Sequence, residues 1–232
     1  MKPSATIKLG TAFGIDILLH WSFFILPLLI GWLSWYHGQA LSTTAVWMVL
    51  LVVVLFSVLL HELGHALTAE KLGIPIIDIM LTPICGLARL ERAPARPWDE
   101  VMVALAGPLA NLAAASLLGL LMWIRGEAFS IDPRTINASL WLTLLWINLS
   151  LFAINLLPIF PMDGGRILRA FLAMGMDSTR ATQVAARLGQ IMSILAIAAG
   201  IYWHIVALVI IGIFLIATAE QEIRQHFLYP RK

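Results

Sequence analysis

Long apolar runs separated by short polar stretches dominate the pattern of this chain. Several of the runs approach or exceed the length of about 20 residues that an α-helix needs to cross a bilayer. The runs predict six spanning helices, at about 17–36, 45–66, 100–124, 138–158, 184–202 and 205–219. Lysines precede the first run as they would in a signal peptide, but the run is too long for one and no cleavage site follows it. We therefore expect the first run to be a span.

The longest polar connection, 71–99, carries a second pattern. Its stretch "IPIIDIMLTPICGLARLE" is rich in isoleucine and is interrupted by Pro75, Pro83 and Gly86, which predicts two short strands forming a hairpin. The predicted fold class is therefore an all-α polytopic membrane protein, with about six transmembrane helices and a short β-hairpin after the second helix. A further segment, 164–176, has the amphipathic pattern of a short helix lying on the membrane surface.

Composition supports the membrane interpretation. Hydrophobic residues make up 60% of the chain and charged residues 12%, and the mean hydropathy is +0.90. These values lie outside the range of soluble domains. A formal net charge of +2 gives no indication of a nucleic-acid partner. The single cysteine, Cys85, excludes an intrachain disulfide and a four-cysteine zinc site, and we expect it to be a small buried residue.

The basic residues predict the orientation of the chain. Six crossings place both termini on the same side of the membrane. All of the 15 lysines and arginines except Arg125 and Arg134 then fall on the side of the termini. Because basic loops stay in the cytoplasm, we expect a multi-pass protein of the cell membrane with both termini cytoplasmic.

The second span ends in "HELGH", residues 61–65. On a helix His61 and His65 lie on one face, four residues apart, and Glu62 is adjacent to the first. An H-E-x-x-H helix can supply two zinc ligands and a general base. The alternative is a polar patch solvated by lipid headgroups, but ionisable groups in an apolar helix are costly unless something compensates them. A metal ion would compensate all three.

A catalytic zinc takes three protein ligands and keeps one position open. Asp163 is the best candidate for the third ligand, because "NLLPIFPMDGG" (155–165) puts it at the same membrane face as His65. His20, near the start of the first span, is the second candidate. The remaining histidines lie on the opposite side or in the C-terminal segment: His37, His204 and His226.

Three motifs together carry a family resemblance. "HELGH", "NLLPIFPMDGG" two spans later and "GPLAN" (107–111) in the span between them resemble the site-2 protease family of intramembrane zinc metalloproteases. The resemblance extends from about residue 7 to the sixth span. The chain has no insertion long enough for a PDZ domain, so it is similar to the branch without one. Many members of that branch add a C-terminal pair of CBS domains, which this sequence does not include.

The resemblance implies a role for each matching residue. His61, His65 and Asp163 would bind one Zn²⁺ per chain, and Glu62 would be the catalytic acid and base. Asn111 and Asn155 would be polar groups near the substrate. From the residues alone, the small side chains of "GPLAN" predict close helix packing, which is a competing explanation for that motif.

The resemblance also implies the reaction. Residues 1–232 would form a single transmembrane metalloprotease domain around the spans at 45–66, 100–124 and 138–158. It would hydrolyse a peptide bond within or near the transmembrane segment of a single-pass membrane protein, such as a sigma-factor precursor or an anti-sigma factor. Partners would be this substrate and the lipid bilayer, with no nucleic acid. Substrate identity, cleavage position and homo-oligomer formation stay open.

Two other classes of protein compete with this hypothesis. A zinc transporter would be expected to have internal repeats and charged groups near the middle of the membrane, and the sequence has neither. A catalytically inactive relative could act as a binding module, but an intact Glu62 next to a full set of ligand candidates argues against it.

Overall fold

The computed structural model describes residues 5–83, 86–132 and 139–228, the last eight of them by backbone alone. Cys85 and the side chain of His226, for which the sequence made predictions, lie outside the described part. The strands are β1 (Thr6–Ala12), β2 (Ile15–His20), β3 (Ile76–Leu81) and β4 (Gly86–Leu90). The α-helices are α1 (Ile25–Tyr36), α2 (Leu41–Lys71), α3 (Pro97–Ile124), α4 (Leu140–Asn155), α5 (Asp163–Ala173), α6 (Ser178–Tyr202) and α7 (Val206–Leu228).

The predicted fold class is confirmed. Among the described residues, α2, α3 and α6 are long and apolar enough to cross a membrane. The other three predicted spans coincide with shorter apolar helices, at Trp21–Tyr36, Leu140–Asn155 and Val206–Glu220. α2 is helical although it contains the β-branched run Val52–Val54, whose helix propensity is low. In a bilayer this matters little, because only a helix satisfies every backbone group within the segment.

The start of the first span was predicted wrongly. Residues 15–20 form strand β2, so the helical part begins only with a 3-10 turn at Trp21–Phe24. β2 is buried on both faces, between β1 and β3 in a four-stranded sheet of order β1-β2-β3-β4. A strand of this kind is a continuous apolar run, which merges with the apolar helix that follows it.

The sheet combines two hairpins through one parallel pairing. β1 and β2 pair antiparallel, as do β3 and β4, which confirms the hairpin predicted after the second helix. β2 and β3 pair parallel, with Ile17–Leu19 opposite Ile79–Leu81. Side chains from β2 and β3 pack with Ala66 of α2 in a hydrophobic cluster. The sheet is thereby held against the part of α2 that carries "HELGH".

A charged pair fixes the register of β4. Asp78 on β3 and Arg89 on β4 are cross-strand partners. The Nε of Arg89 donates to Oδ1 of Asp78 at 2.6 Å, and its Nη2 donates to Oδ2. This hydrogen bonding raises the pKa of the Arg89 guanidinium above its ordinary value. A bidentate pair is geometrically specific, so it determines which β4 residues face α2.

The chain forms two compact units. The first comprises Met1–Ala93 and Leu109–Leu151 and contains the sheet, α1 and α2. The second comprises Pro94–Pro108 and Phe152–Lys232, and Phe160 packs there with small residues of α6 and α7. The amphipathic segment predicted at 164–176 is helical, as α5. The prediction of a single domain over residues 1–232 stays a prediction.

Candidate metal centre

The two histidines of "HELGH" converge inside the first unit. His61 and His65 are almost fully buried on one face of α2, and their Nε2 atoms lie 3.0 Å apart. The ring centroids are 4.7 Å apart, and the ring planes are nearly perpendicular. Two imidazole nitrogens that meet edge to edge can share either a proton or a metal ion. The spacing of four residues therefore places two donor atoms where one ion could contact both.

The other side of the His61 ring is fixed by an amide. Nδ1 of His61 and Oδ1 of Asn111, on α3, lie 2.7 Å apart. A carbonyl oxygen only accepts, so Nδ1 carries the proton and Nε2 presents its lone pair. Histidines that bind metals commonly donate their second ring N–H in this way. The contact fits the use of His61 as a ligand through Nε2.

Glu62 is held by the backbone of β4. The N–H of Ala88 donates to Oε2 of Glu62 at 2.8 Å. Gly86 packs against the same side chain, because a Cβ at this position would lie 2.4 Å from Cγ and 2.7 Å from Oε1 of Glu62. Only glycine can occupy this position without displacing Glu62. β4 is one of the two edge strands of the described sheet, so the carboxylate is located beside a strand edge.

Asp163 begins α5 in the second unit and is buried. The next residues are glycines because the backbone packs there without side chains. A Cβ at Gly164 would lie 2.3 Å from the carbonyl oxygens of Leu156 and Leu157, and one at Gly165 would also contact backbone atoms. The two glycines thus allow the first turn of α5 to lie directly on the segment that follows α4.

A buried ion pair fixes α5 in the second unit. Nε of Arg169 on α5 donates to Oε1 of Glu100, in the first turn of α3, at 3.1 Å, and Nη2 donates to Oε2. Both side chains are nearly inaccessible to solvent. Buried charges of this kind require the two-point geometry they have here, since removing one partner leaves an uncompensated charge. The pair fixes the helix that carries Asp163 at its first position.

The three predicted metal ligands are His61 and His65 in the first unit and Asp163 in the second. All three side chains are buried, and each offers one ligand atom. Two imidazole nitrogens and one carboxylate oxygen form a donor set that suits zinc and leaves a fourth position open. The chemistry of these residues therefore fits the zinc ion expected from the sequence.

The other predicted residues have different environments. Nδ1 of His20 lies 2.6 Å from Oγ of Ser22, and the His20 side chain caps the 3-10 turn. Asn155 is half-buried at the end of α4. Contacts of Asn111 and Asn155 with substrate stay predictions.

Two residues of the site were not predicted from the sequence. Asn148 and the backbone carbonyl of Ser57 both accept hydrogen bonds from the Asn111 amide. Asn148 could have been noticed, because a single amide in the apolar run "LWINLS" is costly in a membrane span and such residues indicate a function.

Comparisons with known proteins agree with these motifs. The sequence matches Peptidase family M50 over residues 49–130 and 133–199, which include both "HELGH" and Asp163. A zinc metalloprotease of Methanocaldococcus jannaschii is 35% identical over 219 residues, covering 94% of this chain and 61% of that protein. The stage IV sporulation protein FB of Bacillus subtilis is 35% identical over 119 residues, covering 51% of this chain and 38% of that protein.

A solved structure is also similar. The site-2 protease from M. jannaschii matches with a TM-score of 0.68 and 34% identity, over 94% of this chain and 95% of that one. This chain spans about three fifths of the length of the zinc metalloprotease from the same organism. The apolar helices agree with a membrane-embedded family. Since the family match includes more than half of the residues and both motifs of the candidate metal centre, the chain belongs to Peptidase family M50, the site-2 protease family.

Proposed function

We propose that this protein is an intramembrane zinc metalloprotease that hydrolyses a peptide bond within or near the transmembrane segment of a membrane-tethered protein. One observation carries the proposal: the Nε2 atoms of His61 and His65 converge, and Glu62, which follows His61 in the sequence, is buried on the same helix, which is apolar and long enough to cross the bilayer. Such groups are costly in an apolar helix and indicate function by default. Family membership supports the same conclusion.

His61, His65 and Asp163 would hold one zinc ion per chain. Their donor atoms match the nitrogen and oxygen ligands that zinc prefers, and the contact between His61 and Asn111 puts the ring proton on Nδ1 and the lone pair on Nε2. When bound, zinc supplies a Lewis acid that lowers the pKa of water towards neutrality and polarises a carbonyl group.

Glu62 is the proposed general base and acid. Its carboxylate takes a proton from the attacking water and later delivers it to the leaving amine. The Ala88 N–H and the flat surface of Gly86 hold the carboxylate in one orientation, which reduces the reorganisation that proton transfer requires. Asn155 is proposed as a polar group near the substrate, at the end of α4.

The edge strand β4 is the proposed site of substrate presentation. A transmembrane helix hides its scissile amide in its own hydrogen bonds, so it must unwind before water can attack. Proteins commonly bind extended peptides by adding them to a sheet edge. β4 is such an edge in the described sheet, and its Gly86 and Ala88 contact the proposed base.

The proposed substrate is a single-pass membrane protein, such as a membrane-tethered transcriptional regulator of the sigma-factor precursor or anti-sigma factor type. The family resemblance implies this class. One relative is named as a sporulation protein, which is consistent with a regulatory pathway. The lipid bilayer is the second partner, and the number of chains in the assembly is left to measurement.

The test of this function combines metal analysis with cleavage of a tethered substrate in liposomes. We expect about one zinc per chain, loss of cleavage when a chelator removes the metal, and recovery when zinc is returned. His65→Ala should lose both zinc and cleavage. His20→Ala is the matched control and should retain both, because the ring of His20 contacts Ser22 and caps the 3-10 turn. Cleavage by the metal-free protein would contradict the proposal.

We further propose that the protein is a multi-pass protein of the cell membrane with both termini in the cytoplasm. The support is the charge bias: of all lysines and arginines, only Arg125 and Arg134 fall on the opposite side in a six-span layout. Reporters fused after Lys232 and inserted near residue 85 should both read cytoplasmic. A reporter inserted at Gly126, two residues after α3, should read external. An external reading at either of the first two positions would contradict this orientation.

A further inference from the structure

We propose that Asn111 is a positioning residue which, together with Asn148 and Ser57, holds His61 in the Nδ1-protonated tautomer. The inference rests on the proposed use of His61 as a metal ligand. It assigns Asn111 to the histidine instead of to the substrate, and it gives Asn148 and Ser57 a role. All four residues belong to the first unit, and all four are buried.

The hydrogen bonds of Asn111 use its whole amide group. Oδ1 faces Nδ1 of His61 at 2.7 Å. Nδ2 donates to the backbone carbonyl of Ser57 at 3.1 Å and to Oδ1 of Asn148 at 2.9 Å. The amide has two N–H groups, and both are occupied. The side chain is fully buried, so contacts with substrate would require these bonds to break.

Two backbone carbonyls set the direction of this network. The oxygen of Ser57 can only accept, so the amide group facing it must be the NH₂ of Asn111. Nδ2 of Asn148 likewise donates to the carbonyl of Leu144 at 2.9 Å and to Oγ of Ser57 at 3.2 Å. Rotating either amide by half a turn would therefore place an oxygen against a carbonyl oxygen. Oδ1 of Asn111 must then face His61.

The tautomer of His61 follows from this direction. With an acceptor opposite it, Nδ1 must carry the proton, and Nε2 keeps a lone pair. Protonation on Nε2 instead would leave Oδ1 of Asn111 buried without a donor, which is unfavourable because the oxygen has lost its hydrogen bonds to water. It would also put the proton on the nitrogen that lies 3.0 Å from Nε2 of His65, where a shared metal ion would need a lone pair. The network thus selects the ring state whose Nε2 lone pair can bind a metal.

Three helices contribute residues to this hydrogen-bond network. Ser57 lies one turn before His61 on α2, Asn111 lies on α3, and Asn148 lies on α4. A polar network in an apolar bundle is costly unless every donor and acceptor has a partner. When all of them are paired, the network favours a single arrangement of the side chains. The hydrogen bonds of Asn111 and Asn148 engage the oxygen and the NH₂ group of both amides, so the His61 ring is oriented before any metal binds.

The test observes the ring nitrogens of histidine by ¹⁵N NMR in the metal-free protein, with the His61 signals assigned by their loss in His61→Asn. We expect His61 to be protonated on Nδ1 in the wild type. Asn111→Leu and Asn148→Leu should move His61 towards protonation on Nε2. Zinc affinity, measured by competition with a chelator, should fall by roughly 10- to 100-fold in both variants, as is typical for partners of metal-bound histidines.

Two further variants keep the test decisive. Ser57→Ala removes only one acceptor of Asn148 and should give a smaller shift in the same direction, even if the leucine variants fold poorly. Ser193→Ala is the matched control, because Ser193 is fully buried but bonds only to the Gly189 carbonyl in its own helix. It should change neither the ring signals nor the zinc affinity.

Opposite results would overturn the inference. Protonation of His61 on Nε2 in the wild type would contradict it directly. Unchanged ring signals and zinc affinity in Asn148→Leu would show that Asn148 does not act on His61. Protonation on Nδ1 in the wild type supports the inference even if that protein then takes up no zinc, an outcome that would instead contradict the proposed function.

Discussion

Replacing Glu62 with glutamine should leave about one zinc per chain bound while cleavage falls by at least roughly 10²- to 10⁴-fold, the contribution typical of a general base. Glutamine keeps the volume of the side chain, which Gly86 packs against, and its amide oxygen can still accept the Ala88 N–H. It cannot take a proton from water. The substitution therefore removes the chemistry and preserves the packing.

The measurement pairs zinc content with the rate of cleavage of a tethered substrate in liposomes. Glu70→Gln is the matched control, because it is the same substitution in the same helix at an exposed position. It should cleave at the wild-type rate. Substantial cleavage by the Glu62 variant would mean that the two histidines belong to a structural metal site.

The inactive Glu62 variant should also trap substrate, which allows presentation by β4 to be examined. A photo-crosslinking residue at Leu87, which is exposed on β4, should capture the trapped substrate. The same residue at Ile131, which is even more accessible but remote in sequence from the sheet, should not. Capture at Ile131 and not at Leu87 would contradict substrate addition to this edge.

The local pattern of the chain was enough to predict the helices and the β3–β4 hairpin. The reason is that apolar length and the alternation of strand and turn residues are properties of neighbouring positions. The pairing of β2 with β3 is a contact between residues about 60 positions apart, and no local pattern encodes it. β2 was therefore assigned to the following span, and the N-terminal hairpin was not predicted.

In the candidate site, too, some contacts could be predicted from local sequence and others could not. The convergence of His61 and His65 follows from helical periodicity alone, which is why a spacing of four residues was informative. Ser57 also lies one turn from His61 and could have been found by the same argument. The contact of Gly86 and Ala88 with Glu62 depends on the register of β4, and the bond between Asn111 and Asn148 depends on the packing of two helices. These are tertiary facts, which only the folded structure contains.

Replacing Asp163 with alanine should remove both zinc and cleavage, in contrast to the Glu62 variant. Two imidazoles would then be the remaining ligands. A direct ligand contributes far more to zinc affinity than a residue that only hydrogen-bonds to a ligand. We therefore expect zinc affinity to fall by more than the roughly 10- to 100-fold that is typical when a hydrogen-bond partner of a metal ligand is removed. The helix itself should persist, because alanine is a good helix former and the buried pair of Glu100 and Arg169 still fixes α5.

The control for this prediction is Asp177→Ala, which also removes a carboxylate from the start of a helix. Asp177 is exposed and accepts the Thr179 N–H at the start of α6, so its loss should cost about 1 kcal/mol of stability without changing zinc content. Full zinc occupancy in the Asp163 variant would place the third ligand elsewhere. Loss of zinc in a double variant that adds His20→Ala would then identify His20, the second candidate, as that ligand. Because Glu62→Gln should separate zinc binding from cleavage and Asp163→Ala should abolish both, the two carboxylates can be distinguished as base and ligand by metal content alone.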